Sequence, residues 1–181
     1  MDDRALVEAM LRDAASYEWR MQDIGLLGRW LDDRRECRVH VWAPQRCDGE
    51  PLVHDHPFDF ASTIVVGEMT NTRYVEDPLG EEFVRTRYLP GTEHERTTDT
   101  VHLVGAAETI GAGATYSQRA GQLHDSRQTP GTVSIIRMEF GGPRPLSVCT
   151  RDERPWTSAV SRTATADEVA SITAAALRHF T

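Results

Sequence analysis

Lysine is absent from this sequence: all 20 basic residues among its 181 are arginine. The absence excludes Schiff-base chemistry and any phosphate-binding loop that depends on a lysine. The sequence also lacks the motifs G-x-G-x-x-G and G-x-S-x-G, which removes the common dinucleotide-binding and serine-hydrolase classes. Metal chemistry is the class that these absences leave best supported.

Positive charge, long apolar runs and cysteine are also scarce. The formal net charge is −8 and the pI is about 5.3, so nucleic-acid and anionic-membrane partners are not expected. No apolar run reaches the length of about 18 residues that a spanning helix needs. The first residues lack the regions of a secretory signal, and the 3 cysteines form no C-x-x-C pair. These features predict a cytoplasmic protein with free thiols.

The patterning of the chain predicts one domain over residues 1–181 with an all-β core. Hydrophobic residues make up 39% of the sequence, which is enough for a packed interior. Alternation of period two starts at Cys37, and short strand-like runs separated by turn residues continue to Phe140. Many short strands of even spacing are typical of a sandwich or barrel, here over about residues 37–140. Asp77–Gly80 is predicted to be a hairpin turn.

Helices are predicted on both sides of this core. Residues 1–35 are expected to be helical, with one helix near the start and a short second helix over Met21–Trp30. Residues 141–181 are expected to form an irregular segment rich in glycine, proline and arginine, followed by a C-terminal helix. Thr165 and Glu168 have the spacing of a capping box and predict where that helix begins.

Three histidines have the spacing of a metal site. His54 and His56 are two residues apart, so in a strand they face the same side while Asp55 faces the other. His124 lies far downstream, after Gly121. A third imidazole brought up by another strand would complete a three-nitrogen centre. Neutral imidazole suits iron, zinc, copper and nickel.

The surroundings of these histidines form two spaced motifs that resemble the two sequence motifs of the cupin superfamily. The first is Gly49, His54-x-His56, three residues, Phe60, six residues, Gly67. The second is Gly113, five residues, Arg119, one residue, Gly121, two residues, His124, three residues, Gln128. The resemblance implies a cupin-type antiparallel β-barrel (jelly roll) with flanking N- and C-terminal helices. It also implies a divalent metal bound by His54, His56 and His124.

One departure from the family pattern bears on the metal ligands. Phe60 stands where the family's ligand glutamate is expected. A three-histidine centre then remains, similar to that of cysteine dioxygenase-like cupins. That similarity implies Fe(II), while Zn, Ni and Mn stay open. Asp59 and Glu68 are the nearest carboxylates in sequence, and either stays open as a fourth ligand.

The charge of such a centre indicates its substrate. Three neutral ligands leave a divalent ion with net positive charge, so an anionic group is its natural occupant. Arg73, Arg85 and Arg87 lie on predicted strands between the motifs. At least one of them is expected to face the cavity and bind a carboxylate bidentately. Tyr116 and Gln118 share one face of the second-motif strand and are further candidates for substrate binding.

The favoured interpretation is a metal-dependent cupin enzyme, a mononuclear non-haem iron oxygenase that acts on a small polar, anionic substrate. Two alternatives stay open: a non-oxidative isomerase, lyase or cyclase that uses a divalent metal as Lewis acid, and a small-ligand-binding cupin without catalysis. A homodimer is also left open. The other histidines, His40, His94, His102 and His179, are each expected to be structural or solvent-facing, with His102 the first candidate to face the barrel interior.

Overall fold

The computed structural model describes residues 2–22, 24–43, 52–88, 96–142, 144–151 and 161–181. In these residues the helices are α1 (Asp3–Arg12) and α2 (Ala166–Leu177). The strands are β1 (Arg20–Gln22), β2 (Leu26–Trp30), β3 (Cys37–Trp42), β4 (Val53–His54), β5 (Asp59–Val66), β6 (Glu68–Tyr88), β7 (Arg96–Gly111), β8 (Thr115–Gln118), β9 (His124–Gln128), β10 (Val133–Glu139), β11 (Leu146–Thr150) and β12 (Arg162–Thr163). Short 3-10 turns follow each helix, at Ala14–Ser16 and Arg178–Phe180.

The strands form two antiparallel sheets. The larger sheet has the order β12-β1-β2-β3-β10-β5-β8, and the smaller has the order β11-β4-β9-β6-β7, with β11 also pairing with β6. Strands that are distant in sequence, such as β3 and β10, are neighbours. This arrangement confirms the predicted all-β core of jelly-roll type with helices at both ends.

The larger sheet separates two layers, because successive side chains on each of its strands point to opposite faces of the sheet. On β3, Val39 and Val41 belong to the core that includes residues of α1 and α2. Arg38, His40 and Trp42 point to the opposite side and line a cavity. The helices therefore cover the outer face of this sheet, while its inner face is left for the functional site.

A second core lies on that inner face, between the two sheets. Its buried members are Leu26, Trp42, Phe60, Ile64, Met69, Ile110, Tyr116 and Met138. They come from both sheets, so this core joins the sheets and forms the floor of the cavity. Burial of each large side chain contributes roughly 1.5–3 kcal/mol to this packing.

Both helices have a side-chain cap at their N-terminus. Oδ1 of Asp2 accepts the Ala5 N–H at 2.7 Å and caps α1. Thr165 and Glu168 form the predicted capping box of α2, each side chain accepting the backbone N–H of the other. Neither helix in the described part of the chain is long and apolar enough to cross a membrane.

The helix predicted over Met21–Trp30 is wrong. The chain there forms β1 and β2, joined by a turn in which Gly25 has a φ of 76°. Leu26 and Leu27 are both buried, because β2 has the helices on one face and the cavity on the other. Alternation of polar and apolar residues is therefore missing, and the strand could not be recognised by period. The sheet begins at Arg20 rather than near residue 37.

Two further predictions of local structure differ from the observed fold. Asp77–Gly80 is not a hairpin turn, because β6 continues through it. These residues form a bulge, on either side of which Glu76 and Glu81 both pair with Leu103. The segment predicted to be irregular after residue 141 contains β11, which pairs with both β4 and β6. Its pairing partners are distant in sequence, so local composition gave no sign of it.

Candidate metal centre and its cavity

Two neighbouring strands of the smaller sheet bring the three histidines together. His54 on β4 pairs directly with His124 on β9. His56 follows β4, and its carbonyl accepts the Gly121 N–H at 3.0 Å, which joins the two motifs. Asp55 is buried and faces away, where its Oδ1 accepts the Ser147 N–H at 2.6 Å. The contact with Ser147 on β11 therefore holds Asp55 on the face opposite to His54 and His56.

The histidine rings surround one point. One nitrogen from each of His54, His56 and His124 lies within 4.8 Å of the other two. The Nε2 atoms of His56 and His124 are 3.1 Å apart. Two nitrogens that each lie about 2.1 Å from one ion are about 3.0 Å apart at a right angle and about 3.4 Å apart at a tetrahedral angle. The observed separation thus fits two ligands of one ion.

Hydrogen bonds on the far side of the rings select the tautomer. Nδ1 of His124 lies 2.9 Å from the Oδ1 of Asn71, and Nδ1 of His54 lies 2.8 Å from the carbonyl oxygen of Leu52. Both oxygens are acceptors, so each Nδ1 carries the proton and donates it. The lone pairs are then on the Nε2 atoms. This is the usual support for histidine ligands of a metal.

Burial also favours the neutral rings that a metal requires. It lowers the pKa of His56 and of His124 well below the ordinary value, and the neighbouring His54 lowers both further. Burial likewise lowers the pKa of His40, followed by the charges of Arg38 and His56. At neutral pH a metal ion therefore does not have to displace a proton from a charged ring of His56 or His124.

Phe60, at the sequence position where the cupin pattern has a glutamate, packs against the histidine cluster. Its ring centroid is 5.1 Å from that of His56 and 6.0 Å from that of His124, and the side chain is buried. Among the described residues, the group of side chains that could hold a metal ion consists of the three histidines alone. Asp59 is exposed and accepts the Ala120 N–H at 2.6 Å, and Glu68 is exposed too. Neither candidate for a fourth ligand is part of the cluster.

A cavity of about 340 Å³ lies beside His54 and His56. Most of its wall is apolar. The apolar lining consists of Ile24, Leu26, Trp42, Leu52, Pro57, Phe58, Phe60, Met69, Tyr116, Ile136, Met138 and Leu146. Polar groups enter it from Gln22, Arg38, His40, Asp125, Ser126 and Ser134. The cavity therefore suits a molecule with an apolar body and a small number of polar groups.

The three arginines predicted to bind substrate lie elsewhere. Arg73 pairs with Glu108 at 2.8 Å and donates to the Ser117 carbonyl at 3.1 Å. Arg85 and Arg87 both pair with Asp99, at 2.5 and 2.9 Å. None of the three is among the residues that line the cavity. The expectation that one of them faces inward differs from the structure, because carboxylates on β7 hold all three.

The other two substrate-binding candidates have different positions. Tyr116 lines the cavity and packs edge to face on Phe60, with centroids 5.9 Å apart. Burial raises the pKa of its phenol, so it stays protonated. Gln118 is buried but does not line the cavity, and its Nε2 donates to the Gln122 carbonyl at 3.0 Å. It positions the turn that leads to His124.

Several residues of the site were not predicted from the sequence, and one predicted residue lies elsewhere. His102, the first candidate for an inward histidine, is exposed and 3.3 Å from the Gly80 carbonyl. His40, expected to be structural or solvent-facing, lines the cavity together with His54 and His56. Asn71 and Arg38 were not singled out, although the parity of Cys37–Trp42 could have grouped Arg38 with His40. Gly49, Cys47 and His94 lie outside the described residues.

Comparison with solved structures gives alignments of low identity. KdgF from Halomonas sp. aligns at 12% identity over 77% of this chain and 94% of that one, with a TM-score of 0.39. The CENP-C cupin domain of Drosophila melanogaster aligns at 9% over 83% and 100%, with a TM-score of 0.40. Oxalate decarboxylase from Lactobacillus farciminis, in a formate complex, aligns at 13% over 77% and 34%, with a TM-score of 0.30.

No protein-family model matches the sequence, and no curated protein matches it. The structural alignments are too distant to bear on what this site binds. The chain's own structure shows two antiparallel sheets and three converging histidines. The histidine cluster is one that could hold a metal ion.

Proposed function

We propose that this chain is a metal-dependent enzyme, an Fe(II) oxygenase acting on a small molecule that carries an anionic group. The observation that supports it is the cluster of His54, His56 and His124, of which His54 and His56 line the 340 Å³ cavity. A metal held there would face a space large enough for a small substrate.

The donor set favours this chemistry. Three imidazoles are neutral, and the described residues add no carboxylate to the group. A divalent iron held by them would keep its positive charge and supply both Lewis acidity and reactivity toward dioxygen. Three protein ligands leave positions for substrate and dioxygen together, which is the requirement of an oxygenase.

The chain's own residues orient the rings and exclude water. Asn71 and the Leu52 carbonyl hold the proton of His124 and His54 on Nδ1, away from the centre. Phe60 and Phe58 pack on His56, with ring centroids at 5.1 Å in both contacts. Apolar packing of this kind lowers the local dielectric and strengthens the attraction between a metal cation and an anionic substrate.

Dioxygen consumption by metal-reconstituted protein tests the proposal. Anaerobically purified protein is loaded with Fe(II) or with Zn(II) and mixed with carboxylic acids of two to six carbons, plain or bearing amino, hydroxy or thiol groups. We expect dioxygen uptake with Fe(II) and not with Zn(II). The uptake should disappear in His124→Ala and persist in His179→Ala, since His179 is bound to the Pro130 carbonyl, away from the cluster.

The other outcomes separate the competing functions. Conversion of an acid without dioxygen, supported equally by Zn, Ni or Mn, would contradict the oxygenase and favour an isomerase, lyase or cyclase. Tight binding of an acid with no conversion under any metal would favour a binding protein. Protein that takes up no metal would contradict every enzymatic version.

A further inference from the structure

β3 presents to the cavity three side chains that carry hydrogen-bond donors. Arg38, His40 and Trp42 are spaced two residues apart and all line it. Ser134 on β10 pairs with His40 and lines the cavity as well. These four residues, named here the β3 strip, share the cavity with His54 and His56 but are not part of the histidine cluster.

Buried polar atoms of the β3 strip have no partner within the described part of the protein. They are both ring nitrogens of His40, Nε1 of Trp42 and Oγ of Ser134. His40 and Trp42 are only 9% exposed, and Ser134 is 0% exposed. A buried donor without an acceptor is costly, so such atoms in a cavity wall indicate a ligand that completes their hydrogen bonds. Trp42 can only donate, and His40 and Ser134 can each donate one bond.

Arg38 adds a positive charge to the same wall. It is half-buried, and no carboxylate among the described residues forms an ion pair with it. With the Gln22 amide in the orientation that satisfies both groups, Oε1 accepts from Nη1 at 3.2 Å and from Nη2 at 3.3 Å. Burial lowers the pKa of Arg38 to about 10, so it remains charged at neutral pH. A neutral amide does not compensate that charge.

Gly28 on β2 makes room for this guanidinium. A β-carbon at position 28 would lie 2.6 Å from the Nε and 2.7 Å from the Cζ of Arg38. The guanidinium also lies over the Trp30 ring, 5.4 Å from its centroid. Arg38 is therefore held in place by β2 rather than extended into solvent.

We propose that the β3 strip binds the carboxylate of an amphipathic substrate, with Arg38 as its counter-ion and His40, Trp42 and Ser134 as further donors. The apolar lining would hold the rest of the substrate against the histidine cluster. This inference rests on the proposed function and names the substrate class: a carboxylic acid with an apolar body of a few carbons. It also assigns the anchoring role to Arg38 instead of Arg73, Arg85 or Arg87.

Calorimetric titration of metal-free protein with sodium hexanoate tests the inference without relying on the metal. Hexanamide, with the same body and no charge, and inorganic phosphate, with charge and no apolar body, are the comparison ligands. We expect hexanoate to bind at least about tenfold more tightly than either. Arg38→Gln should weaken hexanoate binding by roughly tenfold to a hundredfold. The matched control is Arg87→Gln, which removes the same charge outside the cavity and should leave binding unchanged.

Two further variants keep the test decisive if Arg38→Gln does not fold. Gly28→Ala retains the charge but fills the space of the guanidinium, so it should weaken hexanoate binding too. Ser134→Ala removes one donor and should cause a smaller, severalfold loss. Circular dichroism checks that each variant is folded.

Several results would overturn the inference. They are absence of hexanoate binding to the wild-type protein, equal binding by folded Arg38→Gln or Gly28→Ala, and phosphate binding as tight as hexanoate binding. Zinc stoichiometry, measured on the same variants, is expected to stay at the wild-type value. Wild-type protein that binds hexanoate through Arg38 but takes up no zinc would support the β3 strip and contradict the proposed metalloenzyme. The two claims can therefore fail separately.

Discussion

Replacement of Asn71 by leucine tests how the metal centre is held. Asn71 lies on β6, and its side chain is fully buried. Its Oδ1 accepts the Nδ1–H of His124 at 2.9 Å and the hydroxyl of Ser126 at 3.2 Å. Leucine has a similar volume and no acceptor. In Asn71→Leu the proton of His124 would keep only the Ser126 hydroxyl, at 3.4 Å, and the ring would lose its fixed orientation.

We expect Asn71→Leu to change the metal affinity more than the stability of the metal-free protein. Loss of a partner behind a histidine ligand lowers metal affinity by about 10–100-fold. That range corresponds to about 1.4–2.7 kcal/mol. The stability of the metal-free protein should change by less than about 1 kcal/mol. The reason is that the Nδ2 of Asn71 has no partner among the described residues, so leucine also removes an unsatisfied donor.

Competition between the protein and a chromophoric chelator for zinc measures the affinity, and urea unfolding of metal-free protein measures the stability. Asn71→Asp is the matched control, because it keeps an acceptor for His124 and should bind zinc at least as tightly as wild type. An unchanged zinc affinity in Asn71→Leu would refute the argument. A loss in Asn71→Asp as large as that in Asn71→Leu would refute it as well.

Three other expectations follow from the site. Phe60→Glu should tighten metal binding at least about tenfold and lower turnover, because a carboxylate would occupy an exchange position; unchanged zinc affinity would contradict this. Arg85→Gln should leave the KM of any identified substrate unchanged, since Arg85 pairs with Asp99. Burial lowers the pKa of His56 and His124, so as pH falls below about 6.5 the unfolded chain binds protons first. The free energy of unfolding of metal-free protein should therefore fall, below that pH, by up to about 1.4 kcal/mol per pH unit for each histidine. A urea-unfolding midpoint that does not change between pH 7.5 and 5.5 would contradict this expectation.

The features that sequence could predict are those fixed by short-range geometry. Side-chain alternation placed His54 and His56 on one face and Asp55 on the other, and the same rule holds in the structure. The capping box requires only that Thr165 and Glu168 lie three positions apart at the start of a helix, and it was confirmed. The long series of short strands predicted the two-sheet fold.

The features that sequence could not predict depend on which elements become neighbours. Alternation in β3 was visible, but only the packing of α1 and α2 on Val39 shows that Arg38 faces the cavity. Arg85 was a candidate for substrate binding, but the pairing of β6 with β7 places Asp99 beside it, and the two form an ion pair. β2 is buried on both faces, so Leu26–Trp30 has no strand period to recognise.

The metal content of purified protein tests the central claim most directly. Metal-free protein is reconstituted anaerobically with Fe(II), passed through a desalting column and analysed by elemental mass spectrometry, next to His124→Ala and the control His179→Ala. We expect about one iron per chain in wild type and in His179→Ala, and none retained in His124→Ala. The reason is that His124 belongs to the cluster and His179 does not. Wild-type protein that retains no metal, or His124→Ala that retains as much as wild type, would contradict it.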